Sequence, residues 1–502
     1  MPLARAVLPS FYQDSVKLMR LAREIGEKPG VSEVAALMGT PANHEIMLQA
    51  GLAEESEVDA GPNDLVLAVE ADTQELAYEA IEEARAFLTQ ARAEGDGGAS
   101  DFSPSSLAGA LAGAPESNLA MISVPGAYAA KEAMDALRSG LHVFLFSDNV
   151  SVDDEVALKR EAIERDLLLM GPDCGTAYIA GAGLGFANAV KPGRVGCIAA
   201  SGTGLQAVAA QLDALGEGIS HGIGVGGRDL SAEVGGLMTL HALDFLSGDP
   251  ETELVALISK PPDAEVLPGI EEALENFAKP HVVCFLGAEN PGWAETLEDA
   301  GHAVAALLKG ESSEPENFFA QTGLKEKIAS VRPEGVAGSG GVLGLFSGGT
   351  LAHESRLILE GLLGDVSWNE DADRHRILDL GDDRYTVGRP HPMIDPESRA
   401  EIIAQSVADD GVGVVLFDLM LGRVSARDPA GPLARAIREA RGKGRSPVFV
   451  ASVVGTADDP QDMDEQVRIL EDAGVVVLPS NAQATRFAAA LVKPELLEGG
   501  GS

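Results

Sequence analysis

Short runs of Val, Ile, Leu and Ala, each followed by a glycine turn and an amphipathic helix, dominate the chain after residue 118. Apolar runs at 119–124, 141–146 and 167–170 alternate with helical patterns, and the clearest of these covers 152–165. A strand–helix–strand crossover joins parallel neighbours in a sheet. The alternation therefore predicts an α/β chain built on parallel sheets.

The same alternation starts again at two later places in the chain. A strand predicted at 194–200 leads directly into Ser201-Gly202-Thr203-Gly204 and a helix, and strands follow at 254–259 and 281–286. A Glu-, Ser- and Gly-rich stretch then precedes a strand at 342–346, which leads into Ser347-Gly348-Gly349-Thr350 and another helix. The second and third units therefore read as degenerate copies of one another.

The region before residue 95 predicts a small α/β cap with its own strands and helices. Loose residues at 94–100 end it, because glycine entropy and the lack of apolar side chains prevent a packed element there. With 502 residues the chain has room for several cores without disulfides, so it is expected to be multidomain.

Charge and cysteine usage exclude several function classes. Lys plus Arg total 37 against 78 Asp plus Glu, a formal charge of −41, so nucleic acid and anionic membranes are poor partners. Three scattered cysteines, Cys174, Cys197 and Cys284, indicate neither a disulfide frame nor a metal site. They are expected to pack as small core residues. No signal or membrane segment is evident, and we expect a cytoplasmic protein.

The two glycine turns after apolar strands are candidate anion sites. A helix start leaves backbone N–H groups unpaired and carries about half a positive charge. Glycine lets an anion approach this backbone, and Ser and Thr hydroxyls cap the helix or donate to the ligand. The sequence thus predicts a phosphate or carboxylate cradle at 201–204 and a second at 347–350. Plain helix capping is the alternative at each.

Four segments resemble the α subunit of succinyl-CoA synthetase in order and spacing. They are Gly171-Pro172-Asp173-Cys174-Gly175, Pro192-Gly193-Arg194-Val195-Gly196, Ser201-Gly202-Thr203, and Gly224-Val225-Gly226-Gly227-Arg228-Asp229. The third unit resembles the carboxyl domain of that enzyme's β subunit, with 378–383 matching a later strand and turn. The resemblance implies a Rossmann-like domain followed by two flavodoxin-like domains. The expected boundaries are 1–98 for the cap, then 99–193, 194–315 and 340–495.

Three longer strings resemble the FdrA branch of this superfamily. They are Met38-Gly39-Thr40-Pro41-Ala42-Asn43, Phe146-Ser147-Asp148-Asn149-Val150, and the segment 385–396. This resemblance implies a subunit of an oxamate carbamoyltransferase, which moves a carbamoyl group between oxamate and phosphate in purine nitrogen catabolism. Carbamoyl phosphate or another acyl phosphate, an oxamate-like carboxylate, partner subunits and an oligomer are the expected partners.

Two parts of a complete ligase have no counterpart in the sequence. No segment has the length of an ATP-grasp domain, and 103–114 reads as a helix without the strand and glycine loop that bind CoA. No cofactor is therefore predicted, although CoA stays possible. Gly301-His302 matches the ligase's phosphohistidine loop only in part. His302 is expected to be a surface residue on a helix that packs through its other face.

Candidate catalytic residues are His391, Arg389 and Arg228. Arg228 follows a glycine turn at a sheet's carboxyl edge, where we expect contact with phosphate or carboxylate rather than with Asp229. His391 lies between two prolines and is the candidate general acid or base. An interface loop with Arg389 paired to Asp395 is the alternative.

Further residues are expected to bind substrate. They are Lys260, Asp173, Cys174, Gly175, Asn149, Gly226, Gly227 and the two glycine turns. Two other functions stay open. One is an acyl-CoA synthetase subunit that works with a separate ATP-grasp partner, and the other is a non-catalytic scaffold or effector-binding subunit.

Overall fold

A computed structural model shows two compact units, one formed by Met1–Ser105 with Thr386–Pro390 and the other by Ser106–Tyr385 with His391–Ser502. The structure describes residues 2–498 except 10, 12, 14, 27, 41–42, 45–46, 49–50, 54–59, 62–63, 96–103, 105, 332–339, 371–373, 387–389, 407–408, 410 and 443–446. None of the described helices combines the length and apolarity that a membrane crossing requires.

The first unit is a three-stranded antiparallel sheet with helices. Its elements are β1 (Leu3–Leu8), α1 (Ser15–Gly26), β2 (Val31–Met38), β3 (Leu65–Ala71) and α2 (Gln74–Gly95). The strand order is β1-β3-β2, so the most apolar strand, β3, lies in the middle. The helices close one face over a core of Ala, Leu, Val and Ile side chains.

The second unit opens with a short parallel sheet of order β4-β5-β6. Its elements are α3 (Leu107–Gly113), β4 (Leu119–Ile122), α4 (Gly126–Arg138), β5 (His142–Leu145), α5 (Val152–Glu164) and β6 (Leu169–Met170). Among the described residues β4 is the first strand of this sheet, and α3 precedes it. Ser106 and Ser151 cap α3 and α5 as N-cap residues usually do.

A six-stranded sheet of order β12-β11-β9-β10-β7-β8 follows. Strands β9 to β12 are parallel, and the hairpin of β7 and β8 adds an antiparallel edge. The elements are β7 (Thr176–Ile179), β8 (Ala182–Gly185), β9 (Pro192–Ala199), α6 (Gly202–Ala214), β10 (Ile219–Gly224), α7 (Leu237–Gly248), β11 (Leu254–Ser259), α8 (Leu267–Glu275), β12 (His281–Phe285), α9 (Leu297–Leu308) and α10 (Leu324–Val331).

The last sheet is parallel, of order β14-β15-β13-β16-β17-β18. Its elements are β13 (Gly341–Phe346), α11 (Gly349–Leu363), β14 (Ser367–Trp368), β15 (Arg376–Asp379), α12 (Asp383–Thr386), α13 (Glu397–Ser406), β16 (Val412–Met420), α14 (Ala430–Arg441), β17 (Val448–Val454), α15 (Met463–Asp472), β18 (Val476–Leu478) and α16 (Asn481–Val492). The predicted α/β class with parallel sheets is confirmed.

One apolar core joins the two six-stranded sheets. It contains strand residues of both, such as Cys197 and Leu416, together with helix residues of α6, α9, α10, α11 and α16. Burial of apolar surface between the sheets is the main stabilising term for such an arrangement. These five helices therefore form the layer that fixes the position of one sheet relative to the other.

Candidate functional site

The starts of α6 and α11 meet in this shared layer. The Ser201 and Thr350 hydroxyl groups are hydrogen-bonded to each other across the contact. A Cβ added to Gly204 would lie 3.2 Å from Thr350 Cγ2, and one added to Gly348 would lie 3.0 Å from Thr203 Cβ. The two glycine turns that the sequence singled out are thus brought together, and the small residues permit the close approach.

The start of α6 is capped by its own N-cap serine, and some of its backbone N–H groups have no acceptor within the helix. The Ser201 hydroxyl accepts from Gly204 N at 2.9 Å, and the first backbone bond of the helix is Leu205 N to Ser201 O. The N–H groups of Gly202 and Thr203 lie ahead of that bond and have no acceptor within the helix. Gly175 and Thr176 lie beside Gly202, so they line this end of the helix.

The start of α11 is different because a carboxylate already lies on it. Asp418 accepts from Ser347 N and from Gly348 N, each at 2.8 Å, and from the Ser347 hydroxyl at 2.9 Å. Arg399 donates to the same carboxylate at 2.6 Å, and both side chains are buried. This corrects the prediction for Ser347 and Gly348, whose N–H groups are used by Asp418 rather than left for a ligand.

Strand register explains how Asp418 and Asp379 reach this helix start. Phe346 at the end of β13 is opposite Asp379 of β15, and Leu345 is opposite Phe417, which directly precedes Asp418 in β16. Because parallel strands end at the same edge of a sheet, both carboxylates flank the turn that leads into α11.

Asp379 and His391 meet on the other side of α11's first turn. A Cβ added to Gly349 would lie 2.6 Å from Asp379 Oδ2, and one added to Gly381 would lie 2.7 Å from His391 Nε2 and 3.3 Å from Asp379 Oδ1. Burial raises the pKa of Asp379 to about 6, although the hydrogen bond from Gly381 N and the Lys260 charge oppose the shift. At neutral pH Asp379 is therefore ionised in most molecules, and a small fall in pH would protonate a large share of them.

His391 is a neutral donor in this environment. Burial lowers its pKa to about 4, although the Asp418 charge opposes the shift. Met393 N donates to His391 Nδ1 at 3.2 Å, which assigns the imidazole proton to Nε2. The predicted acid or base role of His391 is therefore reduced to that of a hydrogen-bond donor. Near pH 7 the neutral ring offers its Nε2–H and carries no second proton that it could transfer.

Lys260 is exposed at the end of β11 and close enough to Asp379 and His353 to affect their pKa values. It therefore supplies the positive charge on the α6 side of the two helix starts. Arg389 lies outside the described residues.

Arg228 is bonded to residues at the start of α5. Its guanidinium bonds to Glu155 Oε2 at 3.0 Å and to Val150 O at 2.8 Å. Its neighbour Asp229 accepts from the buried Lys159 at 2.7 Å. The ion pair of Arg228 is therefore made with Glu155 of α5 and not with Asp229, while its contact with a ligand stays a prediction.

The remaining predicted residues lie in loops of the second unit, close to its first two sheets. Gly226 has φ +88°, and a Cβ there would be 2.7 Å from Pro172 O, so Gly226 and Gly227 form a tight turn against that loop. Burial raises the pKa of Asp173 to about 6, with the Asp148 charge adding to it. Asn149 is exposed, with φ +53°.

Cys174 is not a nucleophile in this structure. It is buried, its Sγ lies 3.4 Å from Thr176 O, and burial raises its pKa to about 12. A thiol in this state supplies almost no thiolate at neutral pH. Cys197 and Cys284 are also buried, as the sequence predicts.

His302 lies far from the paired helix starts. It is exposed on α9, and its neighbour Gly301 packs against Gln211. Gln211 is nine residues beyond Gly202 along α6, or about 13 Å at the rise of an α-helix. The surface position expected for His302 is confirmed.

Two family models match the chain. One, described as CoA-ligase, matches residues 345–491, and the other, described as AllF, heavy metal-associated domain, matches residues 1–104. The second region contains no cysteine and a single histidine, His44. The described residues also hold no group of three His, Cys, Asp or Glu placed to bind a metal. The residues of this region therefore do not fit a thiolate metal site.

Similar proteins cover different shares of the chain. The uncharacterized protein YahF of Escherichia coli K12 is 39% identical over 499 residues, covering 95% of this chain and 96% of YahF. The malate–CoA ligase α subunit of Methylorubrum extorquens is 32% identical over 190 residues, covering 36% of this chain and 62% of that subunit. An acetyl-coenzyme A synthetase structure from Ca. Korarchaeum cryptofilum covers 76% of this chain and 84% of its own, with 16% identity and a TM-score of 0.29.

Proposed function

This chain belongs to the protein family of Escherichia coli YahF, within the CoA-ligase superfamily, and we propose that it transfers an acyl group between phosphate and an acceptor where α6 and α11 meet. The observation that carries the proposal is the contact of two helix starts through Ser201 and Thr350. Helix starts bind anions through their backbone N–H groups, which gives a local anion site within a chain whose formal charge is −41.

Each part of the reaction has a donor or acceptor among the described residues. The Gly202 and Thr203 N–H groups would hold the phosphate, and His391 Nε2–H would donate to the carbonyl oxygen as it becomes negative. The nucleophile attacks the acyl carbon, and the acyl C–O bond breaks. Phosphate leaves with the bonding electron pair, while Asp379 takes the proton from the nucleophile.

CoA is the first candidate acceptor, because the superfamily and the malate–CoA ligase relative carry it in their names. Its thiol would lose the proton to Asp379, and a thioester would form. In this case the acyl phosphate comes from a separate ATP-grasp partner. The described part of the short β4-β5-β6 sheet shows no strand and glycine loop ahead of β4 to hold the nucleotide end of CoA.

Oxamate is the second candidate acceptor, with carbamoyl phosphate as donor, as the FdrA resemblance implies. The position of His302 favours it, because a histidine on the exposed surface at the far end of α6 is badly placed to pass phosphate to the paired helix starts. An acyl phosphate that arrives already activated needs no such residue. Partner subunits, an oligomer and a cytoplasmic location stay predictions in both cases.

Product formation distinguishes the two acceptors. The purified chain is mixed with acetyl phosphate and CoA, then separately with carbamoyl phosphate and oxamate, and thioester and N-carbamoyl oxamate are measured by mass spectrometry. Thioester alone assigns a CoA acceptor, and N-carbamoyl oxamate alone assigns the carbamoyl transfer. If neither forms and neither acyl phosphate binds in calorimetry, the proposed function is refuted.

A glycine pair tests whether the reaction occurs at the helix starts. A methyl group at Gly204 would lie 2.8 Å from Ser201 Oγ and 3.2 Å from Ile258 Cγ2, whereas a methyl at Gly361, inside α11, meets nothing within 4 Å. Gly204→Ala is expected to lower product formation at least about tenfold, while Gly361→Ala keeps it, since a helical Ala is favourable where there is room. Equal activity of both variants would place the reaction elsewhere.

A further inference from the structure

The two helix starts are alike in sequence and different in charge. Ser201 caps α6 with a neutral hydroxyl, whereas the turn before α11 accepts a carboxylate from Asp418 on its Ser347 and Gly348 N–H groups. Gly348 has no side chain to cap its own helix, and Asp418 performs that function from the neighbouring strand. The positive end of α11 is therefore compensated within the protein.

We propose that Asp418 is a specificity-determining residue that limits the paired helix starts to one anionic group. The inference rests on the proposed function, since it concerns the acyl phosphate that would bind there. The phosphate is held by the start of α6, and the acyl end extends over the start of α11. That end must be uncharged, so the substrate class is an acyl phosphate whose only charge is on phosphorus.

Two carboxylates lie where a second anionic group of the ligand would reach. Asp418 bonds to the turn before α11, and Asp379 Oδ2 lies against Gly349 in its first turn. Arg399 is the one cation bonded to Asp418 among the described residues, and its Nη1 already donates to both the carboxylate and the main-chain oxygen of Asp418. A second ligand carboxylate would therefore meet N–H groups and a guanidinium that are already bonded to Asp418, and losing water without gaining a donor would disfavour it by roughly tenfold.

The neutral His391 fits the same substrate class. Its Nε2–H lies next to Gly381 and Asp379, where it can donate to a carbonyl oxygen. An imidazolium there would instead attract a second carboxylate. The groups around the start of α11 therefore recognise a polar, uncharged carbonyl end and repel an acidic one.

Two stable phosphonates test the inference. Acetonylphosphonate imitates acetyl phosphate, and 4-oxo-5-phosphonopentanoate adds a carboxylate at the acyl end. Calorimetric titration of the wild-type chain is expected to show at least about tenfold tighter binding of acetonylphosphonate. In Asp418→Asn this preference should fall below about threefold, because the amide carries no charge and cannot accept from both N–H groups.

Asp229 offers a matched control. It is also a buried carboxylate that accepts from a helix start, Met238 N and Thr239 N of α7, and it also pairs with a buried cation, Lys159. Asp229→Asn should keep the tenfold preference. A preference that vanishes in both variants would show a general effect of lost charge or stability and would overturn the assignment to Asp418.

The outcomes separate this inference from the proposed function. If the wild-type chain binds both phosphonates equally, an anion site exists and the inference about Asp418 is wrong. If it binds neither phosphonate and Asp418→Asn also binds neither, the proposed function fails and the inference with it. Should Asp418→Asn not fold, Arg399→Gln is compared with the double variant Arg399→Gln and Asp418→Asn, which contains no unpaired buried charge. The inference then requires the preference in the single variant and its loss in the double variant.

Discussion

Replacing Asp379 with Asn is expected to make the second unit more stable at alkaline pH. The folded protein holds this carboxyl group where burial raises its pKa from 3.8 to about 6. The folded state thus binds the proton more tightly than the unfolded chain. The side chain adds stability below its unfolded pKa, and this contribution is lost as the pH rises through about 6. Asn does not ionise, so it escapes that loss.

The expected magnitude follows from the shift. One pKa unit corresponds to about 1.4 kcal/mol, so ionised Asp379 costs the folded state about 3 kcal/mol at pH 8 and about 0.5 kcal/mol at pH 4. Asp379 Oδ1 accepts from Gly381 N at 3.1 Å, and the Asn oxygen can keep that bond. The difference in unfolding free energy between Asp379→Asn and the wild-type chain should therefore grow by about 2.5 kcal/mol from pH 4 to pH 8.

Urea denaturation followed by tryptophan fluorescence measures this difference. The chain has two tryptophans, Trp293 and Trp368, and both belong to the second unit, so the signal reports its unfolding. Asp365→Asn, at an exposed position, is the control and should change stability by less than about 0.5 kcal/mol at either pH. A difference that stays flat with pH, or that favours the wild-type chain at pH 8, would refute the reasoning about Asp379.

Three further variants test other parts of the structure. His391→Gln should retain more activity than His391→Ala because it keeps an N–H donor, and both variants should keep the wild-type titration of the rate near pH 6, which belongs to Asp379. Lys159→Met should destabilise the second unit by about 3–5 kcal/mol in urea, because it leaves Glu155 and Asp229 buried without their shared cation. Ser201→Ala should cost about 1 kcal/mol through the lost helix cap and should weaken phosphate binding in calorimetry.

The sequence predicts the parallel strands well where apolar runs are long and end in glycine turns. The run at 194–200 corresponds to β9, and the run at 342–346 corresponds to β13. The hairpin of β7 and β8 was not predicted. Its strands are four residues each and contain Gly, Ala and Thr rather than an apolar alternation, so their pairing depends on β10 next to them.

Only part of the candidate site could be predicted from the sequence. The glycine turns are local features, and the structure brings both together. Asp418 and Asp379 act through the order of strands β15, β13 and β16, which no local pattern specifies. One signal was present, since Asp418 is a charged residue in the apolar run of β16, and charged side chains are almost never fully buried unless they are paired. The ion pair of Arg228 has no local signal either, because its partner Glu155 lies 73 residues away.

The difference between the two helix starts bears on how one fold can serve different acyl transfers. A helix start that is capped by its own serine keeps its positive end available for a ligand. At a helix start that is capped by a strand carboxylate, that positive end is already bonded within the protein. The exchange involves a single strand residue, Asp418, and leaves the core between the sheets unchanged. A family built on two such starts can therefore change the charge that its substrate carries by altering one side chain. Relatives with a neutral residue at the position of Asp418 should bind acyl phosphates that carry a second carboxylate, and a relative of that kind that rejects them would contradict the argument.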